Sequence, residues 1–154
     1  MRAVIQRVLR AEVIINGTER REIPAGFVAL LGVKNGDGEQ EAELLAKKTA
    51  ELRILCDDEG KMNRSLLDYG QSILVISNFT LYANCSHGRR PEFLSAAKPP
   101  LAERLYEYFV EQLRARGVPE VKTGEFGAHM ELRLVNNGPV TILLDTDELK
   151  GRKA

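Results

Sequence analysis

Hydroxyl and amide side chains follow a strand-like apolar run near the middle of the chain. Ser77, Asn78, Phe79 and Thr80 come directly after residues 73–76, whose continuous apolar character is typical of a strand buried on both faces. Where such a strand stops pairing, its backbone N–H groups become free. Fixed N–H donors of this kind, here at positions 78–80, stabilise a developing oxyanion by about 3 kcal/mol or more. The segment is therefore a candidate to hold the polar groups of a functional site.

A second candidate segment carries a Gly-Pro step. Apolar and polar residues alternate over positions 130–135, which is typical of a half-exposed strand, and this strand leads into Asn136, Asn137, Gly138 and Pro139. Taken alone, a Gly-Pro step after a strand predicts a turn. Both candidate segments are therefore expected on rigid supports.

Thr80 is the obvious nucleophile to consider, and an activated hydroxyl needs a base. The chain has two histidines, His87 and His129, and neither lies in a Gly-x-Ser-x-Gly elbow or a similar local setting. Three roles for the Thr80 hydroxyl stay open: a covalent nucleophile, a bond to a neighbouring strand, and the positioning of water. The sequence favours the last two over the first.

A basic loop lies downstream of the first segment. Arg89, Arg90 and Lys98 are candidates to contact the phosphates of a nucleic acid, with solvated surface charge as the equal alternative. The Cys85-x-His87 pair falls short of a zinc site because it lacks a second pair of ligands. We therefore predict no metal.

Composition limits the possibilities. The 154 residues fit one domain spanning 1–154, with 44% hydrophobic and 29% charged residues. The 22 basic and 22 acidic residues cancel, so contact with RNA requires a local patch. No apolar run approaches the roughly 20 residues that span a bilayer, and Cys56 and Cys85 are expected as reduced thiols. A cytoplasmic location without membrane contact is the prediction.

The predicted elements give an α+β fold. Strands are expected over 2–8, 12–15, 26–33 and 54–56, with a hairpin turn at Asn16-Gly17. One amphipathic helix is expected over 39–52, and a longer one opens after Pro99-Pro100 and closes at Gly117. We predict a mostly antiparallel, barrel-like sheet with two main helices on one side and a frayed tail over 148–154.

The two candidate segments together resemble the paired signature of the D-aminoacyl-tRNA deacylases (the D-Tyr-tRNA(Tyr) deacylase family). The family has Ser-Gln-Phe-Thr-Leu where this chain has residues 77–81, and Asn-x-Gly-Pro-Val-Thr where it has 136–141. Residues 1–8, 88–93 and 123–128 also look like family landmarks, in the family's order. The similarity therefore covers nearly the whole chain.

The resemblance implies a homodimeric, cofactor-free hydrolase that cleaves the ester bond of D-aminoacyl-tRNA during proofreading of translation. Residues 77–80 would surround the ester, at active sites on the subunit interface. The Gly138-Pro139 bond is cis in the family, and its carbonyl oxygens enter the partner's site as a chiral filter. Arg7 would hold that segment, and Met130 is a further candidate residue for substrate binding and the filter. The filter rejects an L side chain but cannot reject glycine, which has none. Glycyl-tRNA, in particular tRNA-Ala mischarged with glycine, is therefore an implied substrate.

The same resemblance leaves points open. Asn78 replaces the family's Gln, which shortens the side chain by about 1.5 Å and affects any role of its amide but not of its backbone N–H. The 2′-hydroxyl of the terminal adenosine of the tRNA is a candidate to activate water. Alternatives are a small-ester hydrolase using Thr80 or Ser77 with His129, a binding module for the tRNA acceptor end without turnover, and a changed amino-acid preference caused by Asn78.

Overall fold

The computed structural model describes residues 1–151 and contains a large sheet, a small hairpin and several helices. The strands are β1 (Arg2–Ile15), β2 (Glu19–Ile23), β3 (Gly26–Gly32), β4 (Leu55–Cys56), β5 (Met62–Arg64), β6 (Ser72–Ser77), β7 (Glu120–Thr123) and β8 (Met130–Asp145). The helices are α1 (Glu39–Ala50), α2 (Leu66–Tyr69), α3 (Leu101–Ala115) and α4 (Thr146–Gly151), with a 3-10 helix at Phe79–Tyr82.

The large sheet is mixed, so the expectation of a mostly antiparallel sheet is confirmed only in part. β1 pairs antiparallel with β2, β3 and β8, whereas β3–β6 and β6–β7 are parallel pairs. Parallel neighbours need a long crossover connection. α1 lies in the connection from β3 to β6, and α3 lies in the connection from β6 to β7. The two helices predicted from the sequence are therefore the crossovers.

An irregularity in β1 lets one strand contribute to two cores. Ala3 and Ile5 pack under the main helices, whereas Val13 and Ile15 pack in a second cluster on the opposite face of the sheet. The change of face follows from register shifts against β8 between Gln6 and Arg10. An extra residue in a strand inverts its alternation of faces, and a bulge of this kind also bends the strand.

The bend brings β2 towards the far edge of the sheet. Arg21 donates from Nη1 to the carbonyl oxygen of Thr123 at 2.9 Å, and Lys122 donates to the carbonyl oxygen of Glu22 at 2.7 Å. Side chains of β2 and β7 thus bridge the gap, so that the sheet is nearly closed. The second apolar cluster fills its interior, with Val28, Leu74 and Ile76 from the central strands.

α1 and α3 cover the outer face of the central strands. Leu45 of α1 and Leu105, Phe109 and Leu113 of α3 are fully buried there. The frayed tail predicted from Glu148 is wrong as far as Gly151, because α4 covers this part of the chain. The rest of that prediction, residues 152–154, lies outside the described residues. Among residues 1–151, no helix combines the length and the apolar character that crossing a membrane requires.

Candidate functional site

A cleft of about 480 Å³ opens where the parallel strands end. The carboxyl ends of parallel strands are the usual place for a ligand in open α/β sheets. Val33 follows β3, Ser77 is the last residue of β6, and Asn78 and Phe79 come directly after it. Residues 126–128 lie beyond β7. The lining residues are Val33, Ser77, Asn78, Phe79, Phe93, Ala96, Ala97, Lys98, Pro99, Ala102, Phe126, Gly127, Ala128 and Met130. The cleft is mainly apolar, and Ser77, Asn78 and Lys98 are the polar side chains of its lining.

The first candidate segment turns sharply at this cleft. β6 ends at Ser77, and the chain enters the 3-10 helix at Phe79, so the segment does not continue as a strand. The prediction of three free N–H donors is wrong for Asn78, whose N–H donates to the carbonyl oxygen of Leu31 at 2.8 Å. The ladder between β3 and β6 thus extends one residue past β6.

The next two N–H groups are differently placed. Phe79 and Thr80 are the first residues of the 3-10 helix, and N–H groups at a helix start have no acceptor within the helix. The turn and loop hydrogen bonds of residues 1–151 use neither of them. The Phe79 ring is 56% exposed and contacts Phe93 edge-on, with the ring centroids 5.0 Å apart. Two free donors therefore lie beside an aromatic wall of the cleft.

The Thr80 hydroxyl donates to Oδ1 of Asn78. In the described part of the chain, no hydrogen bond joins Thr80 or Ser77 to either histidine. His87 and His129 are both exposed. Thr80 itself does not line the cleft, so the structure brings Ser77, Asn78 and Phe79 to the cleft and leaves the Thr80 hydroxyl bonded beside it.

The Gly-Pro segment lies in the middle of a strand, not at a strand end. β8 runs from Met130 to Asp145, and Gln6 pairs with Thr141 while Val8 pairs with Asn136. The extra residues of β8 therefore protrude as a bulge at 137–140, opposite Arg7. The Gly138-Pro139 peptide bond is cis, which answers the question that the sequence left open.

Arg7 lies under this bulge. Its Nε donates to the carbonyl oxygen of Asn137 at 2.8 Å, and its Nη1 donates to the carbonyl oxygen of Ile54 at 2.8 Å. Nη1 also lies 3.5 Å from Sγ of Cys56. Because backbone carbonyl groups satisfy the buried guanidinium, Arg7 joins the bulge to the segment before the β4–β5 hairpin.

Gly138 occupies a conformation that excludes other residues. Its φ is +143°, and a Cβ atom there would lie 2.7 Å from Cγ2 of Val140 and 3.1 Å from Nη2 of Arg7. Asn136 closes the bulge from the other side, because its Oδ1 accepts from the Val140 N–H at 2.7 Å. The bulge is thus held at both ends and carries its carbonyl groups on a fixed frame.

Within one chain the two candidate segments are separate. Met130, at the start of β8, lines the cleft, whereas Gly138, Pro139 and Arg7 do not. The stretch of β8 between Met130 and Gly138 spans roughly 25 Å at the rise of an extended strand. The structure therefore brings together Ser77, Asn78, Phe79, Lys98 and Met130 at one place, and Arg7, Gly138 and Pro139 at another.

The predicted basic loop is only partly at the cleft. Lys98 lines it, whereas Arg89 and Arg90 are exposed on the loop before β-bridge residue Glu92 and do not. Cys56 and Cys85 are free and exposed. Among residues 1–151, no three His, Cys, Asp or Glu side chains are grouped so that they could hold a metal ion.

Sequence reasoning missed most of the apolar wall of the cleft. Phe93 and Phe126 face it from two loops, and Ala97 and Ala102 face it from the approach to α3 and from α3 itself. The signal was present, because Phe93 and Phe126 belong to segments 88–93 and 123–128 that looked like family landmarks. Without the tertiary structure, nothing assigned these segments to the same place as Ser77.

Comparisons of the sequence give a consistent result. Residues 4–145 match the profile of a family described as D-Tyr-tRNA(Tyr) deacylase. A protein of Thermomicrobium roseum named D-aminoacyl-tRNA deacylase is 56% identical over 151 residues, which cover 98% of this chain and 97% of that protein. A protein of the same name from Thermus aquaticus is 52% identical, with 99% of this chain and 100% of that protein covered.

Solved structures agree on the fold. One described as c-Myc DNA Unwinding Element Binding Protein superposes with a TM-score of 0.88 at 39% identity, covering 94% of this chain and 98% of that one. Another, described as a probable eukaryotic D-amino acid tRNA deacylase, has a TM-score of 0.80 over 93% of this chain and 97% of that one. At 18% identity, the second likeness concerns the fold alone.

Proposed function

The chain belongs to the D-Tyr-tRNA(Tyr) deacylase family, and we propose that it hydrolyses the ester bond of D-aminoacyl-tRNA in the cleft at the end of β6. It is an ester hydrolase of the D-aminoacyl-tRNA deacylase type. The observation that carries the assignment of the site is the position of Ser77, Asn78 and Phe79 on the wall of this cleft.

The proposed chemistry uses the start of the 3-10 helix. The N–H groups of Phe79 and Thr80 would donate to the ester carbonyl oxygen as it becomes an oxyanion when water attacks. The terminal adenosine of the tRNA would supply its 2′-hydroxyl to orient the water, which fits a site whose Thr80 hydroxyl is bonded to Asn78. The products are the free D-amino acid and the tRNA.

Stereochemical selection is assigned to the bulge of β8. The backbone around Gly138 and Pro139 would lie where the side chain of an L-amino acid projects, so the L ester is rejected by exclusion. A filter of this kind must be rigid. The bonds of Arg7 to Asn137 and of Asn136 to Val140 support that requirement. Glycine has no side chain to exclude, so glycyl-tRNA, including tRNA-Ala mischarged with glycine, is a proposed substrate.

Two copies of the chain are required by this proposal. The cleft and the bulge lie on different parts of one protomer, so the bulge of one subunit would complete the cleft of the other. Met130 would lie beside the partner's Gly-Pro segment. Lys98 at the cleft, with Arg89 and Arg90 on the neighbouring loop, would contact phosphates of the acceptor end in a cytoplasmic proofreading enzyme.

The direct test is a deacylation assay with D-tyrosyl-, L-tyrosyl- and glycyl-tRNA. We expect the D and glycyl esters to disappear much faster than by spontaneous hydrolysis while the L ester survives. Equal rates on the D and L esters would defeat the chiral filter. Salt-dependent binding of tRNA with no loss of any ester would identify a binding module instead.

Subunit mixing tests the shared site. The mixed dimer joins one subunit with Ala128→Trp, which fills its cleft, to one subunit with Pro139→Ala, which alters its bulge. If each cleft uses the partner's bulge, the mixed dimer has one open cleft facing one unaltered bulge and regains D-selective hydrolysis. If cleft and bulge of the same chain act together, every open cleft faces an altered bulge and selectivity does not return.

A further inference from the structure

The short helix that carries Phe79 and Thr80 is held from outside by an arginine. We propose that Arg2, at the start of β1, is a positioning residue for the ester site. The inference rests on the proposed function, and it concerns a side chain that does not line the cleft.

The Arg2 guanidinium makes three kinds of contact. Its Nη1 donates to the carbonyl oxygen of Leu81, in the 3-10 helix, at 2.8 Å. Its Nε and Nη2 both lie 2.9 Å from Oδ2 of Asp145, whose side chain is only 8% exposed. Its Cζ lies 4.7 Å from the centre of the Tyr82 ring. One planar group thus joins the helix to the carboxylate at the end of β8.

Gly32 supplies the surface on which the helix rests. A Cβ atom at Gly32 would lie 3.1 Å from Cβ of Leu81 and 3.2 Å from a ring carbon of Tyr82. The helix therefore packs against the backbone of β3 with no side chain between them. The 3-10 helix is thus contacted by Arg2 of β1 through the Leu81 carbonyl oxygen and by the backbone of Gly32 through Leu81 and Tyr82.

Tyr82 has no other polar anchor. Its hydroxyl is buried without a hydrogen-bond partner among the described residues, and burial raises the pKa of the phenol above its ordinary value. Packing on Gly32 and the stacked Arg2 guanidinium therefore decide where the ring lies. The position of the C-terminal end of the helix depends on these two contacts.

The consequence for the site follows from the length of the helix. It has four residues, Phe79 to Tyr82, so a shift at Leu81 also moves the N–H groups of Phe79 and Thr80. Donors to an oxyanion must be aligned within a few tenths of an ångström, and a misplacement of about 1 Å costs about a hundredfold in rate. Loss of Arg2 would therefore reduce turnover more than binding.

The test compares Arg2→Lys and Arg2→Met with Arg104→Met. Lys keeps the charge but cannot reach Leu81 and Asp145 together while lying flat on Tyr82. Arg104 is a matched control because its ion pair with Glu39, at 3.6 Å, joins α3 to α1 away from the 3-10 helix. We expect both Arg2 variants to lose about ten- to a hundredfold in kcat on D-tyrosyl-tRNA, with KM within about threefold. The Arg104 variant should match the wild type.

Rescue separates positioning from folding. Methylguanidinium should restore part of the kcat of Arg2→Ala, while methylammonium at the same concentration should not. Unchanged kcat in folded Arg2 variants, or an effect confined to KM, would overturn the proposal. So would equal rescue by the two cations.

Hydrogen exchange gives a readout that needs no substrate. The N–H groups of Leu81 and Ala83 donate to the carbonyl oxygens of Asn78 and Thr80 at 3.3 and 3.1 Å. They should exchange faster in Arg2→Met than in the wild type and in Arg104→Met. Unchanged exchange would overturn the role of Arg2, whatever the activity of the wild type. A wild type that is inactive on every ester would refute the proposed function but would leave this exchange test valid.

Discussion

Arg7 Nε donates to the carbonyl oxygen of Asn137 at 2.8 Å, directly before the Gly138-Pro139 step. The arginine is only 9% exposed, and its other contacts are Ile54, directly before the β4–β5 hairpin, and Cys56 in β4. One buried charge therefore fixes the bulge of β8 to an element more than eighty residues earlier in the chain. Its partners are neutral, so the dipoles of the Asn137 and Ile54 carbonyl groups replace the hydration that the buried guanidinium has lost.

Arg7→Lys should loosen the bulge, because an ammonium group cannot donate to Asn137 and Ile54 in the same planar arrangement. We expect the preference for the D ester over the L ester to fall by about tenfold or more. The free energy of unfolding should fall by about 2 kcal/mol, since hydrogen bonds to a charged group are removed. Paired tyrosyl-tRNA assays and urea unfolding measure the two effects. A variant with wild-type selectivity would contradict the role given to Arg7.

Gly138→Ala should disturb the same bulge by a different route. The added Cβ would meet Val140 and Arg7 at 2.7 and 3.1 Å, in a backbone conformation that L residues rarely adopt. Such strain costs about 1–3 kcal/mol. We expect reduced stability in urea and loss of D selectivity. Gly60→Ala is a suitable control, because it also has positive φ, at +78°, but has open space around its Cβ position.

Thr80→Val should keep kcat within about tenfold, because the proposed mechanism takes its proton transfer from the substrate and not from this hydroxyl. D-tyrosyl-tRNA that ends in 2′-deoxyadenosine should react about a hundredfold more slowly with the wild type. Single-turnover hydrolysis of both substrates measures this. A dead Thr80→Val variant, together with a burst of acyl-enzyme in the wild type, would establish a covalent nucleophile instead.

Lys98→Gln should weaken the binding of tRNA and its dependence on salt. Lys98 lines the cleft, and removing one cation that neutralises a phosphate should lower the slope of log K against log salt by about 0.7–0.9. The exposed Lys48 of α1 provides the control substitution, Lys48→Gln. Binding measured at several salt concentrations checks the prediction, which fails if the two variants have the same slope.

Tyr106→Phe tests a buried bond behind the candidate site. The Tyr106 hydroxyl donates to the carbonyl oxygen of Val75 at 2.8 Å, and that oxygen also accepts from the Gly124 N–H. Because the carbonyl keeps one partner, the substitution should cost about 1 kcal/mol of unfolding free energy at neutral pH.

The same substitution should change the response to alkali. Burial raises the pKa of Tyr106 from 10.0 to about 12. Since the folded state then holds its proton more tightly, the contribution is complete below pH 10 and is lost as the pH rises towards 12. Urea unfolding at pH 9 and pH 11 should show a smaller decrease for Tyr106→Phe than for the wild type. Equal decreases would contradict this assignment.

Local signals in the sequence predicted the elements well. The Asn16-Gly17 turn between β1 and β2 is confirmed, and so is α3 between Pro99-Pro100 and Gly117. Each depends on residues whose backbone preferences act at short range. The parallel pairings were missed because strand direction is set by partners far apart in sequence. The two predicted helices, α1 and α3, each connect a pair of parallel strands, and a helix in such a connection is typical of parallel pairing.

The candidate site was predicted unevenly for the same reason. Ser77–Phe79 at the end of β6 follows from the apolar run before it, but the use of the Asn78 N–H by Leu31 depends on the neighbouring strand. The Gly-Pro step was expected after a strand, whereas β8 continues past it because β1 pairs on both sides of the bulge. Pairing partners of this kind cannot be deduced from the local pattern.

β1 carries both arginines that hold the two candidate segments, Arg2 for the 3-10 helix and Arg7 for the bulge. The five-residue interval between them is therefore a fixed length within the enzyme. An insertion or deletion there would misplace one anchor relative to the other, even with every residue of both signature motifs intact. We therefore expect that members of this family do not tolerate insertions or deletions between these two positions of the first strand.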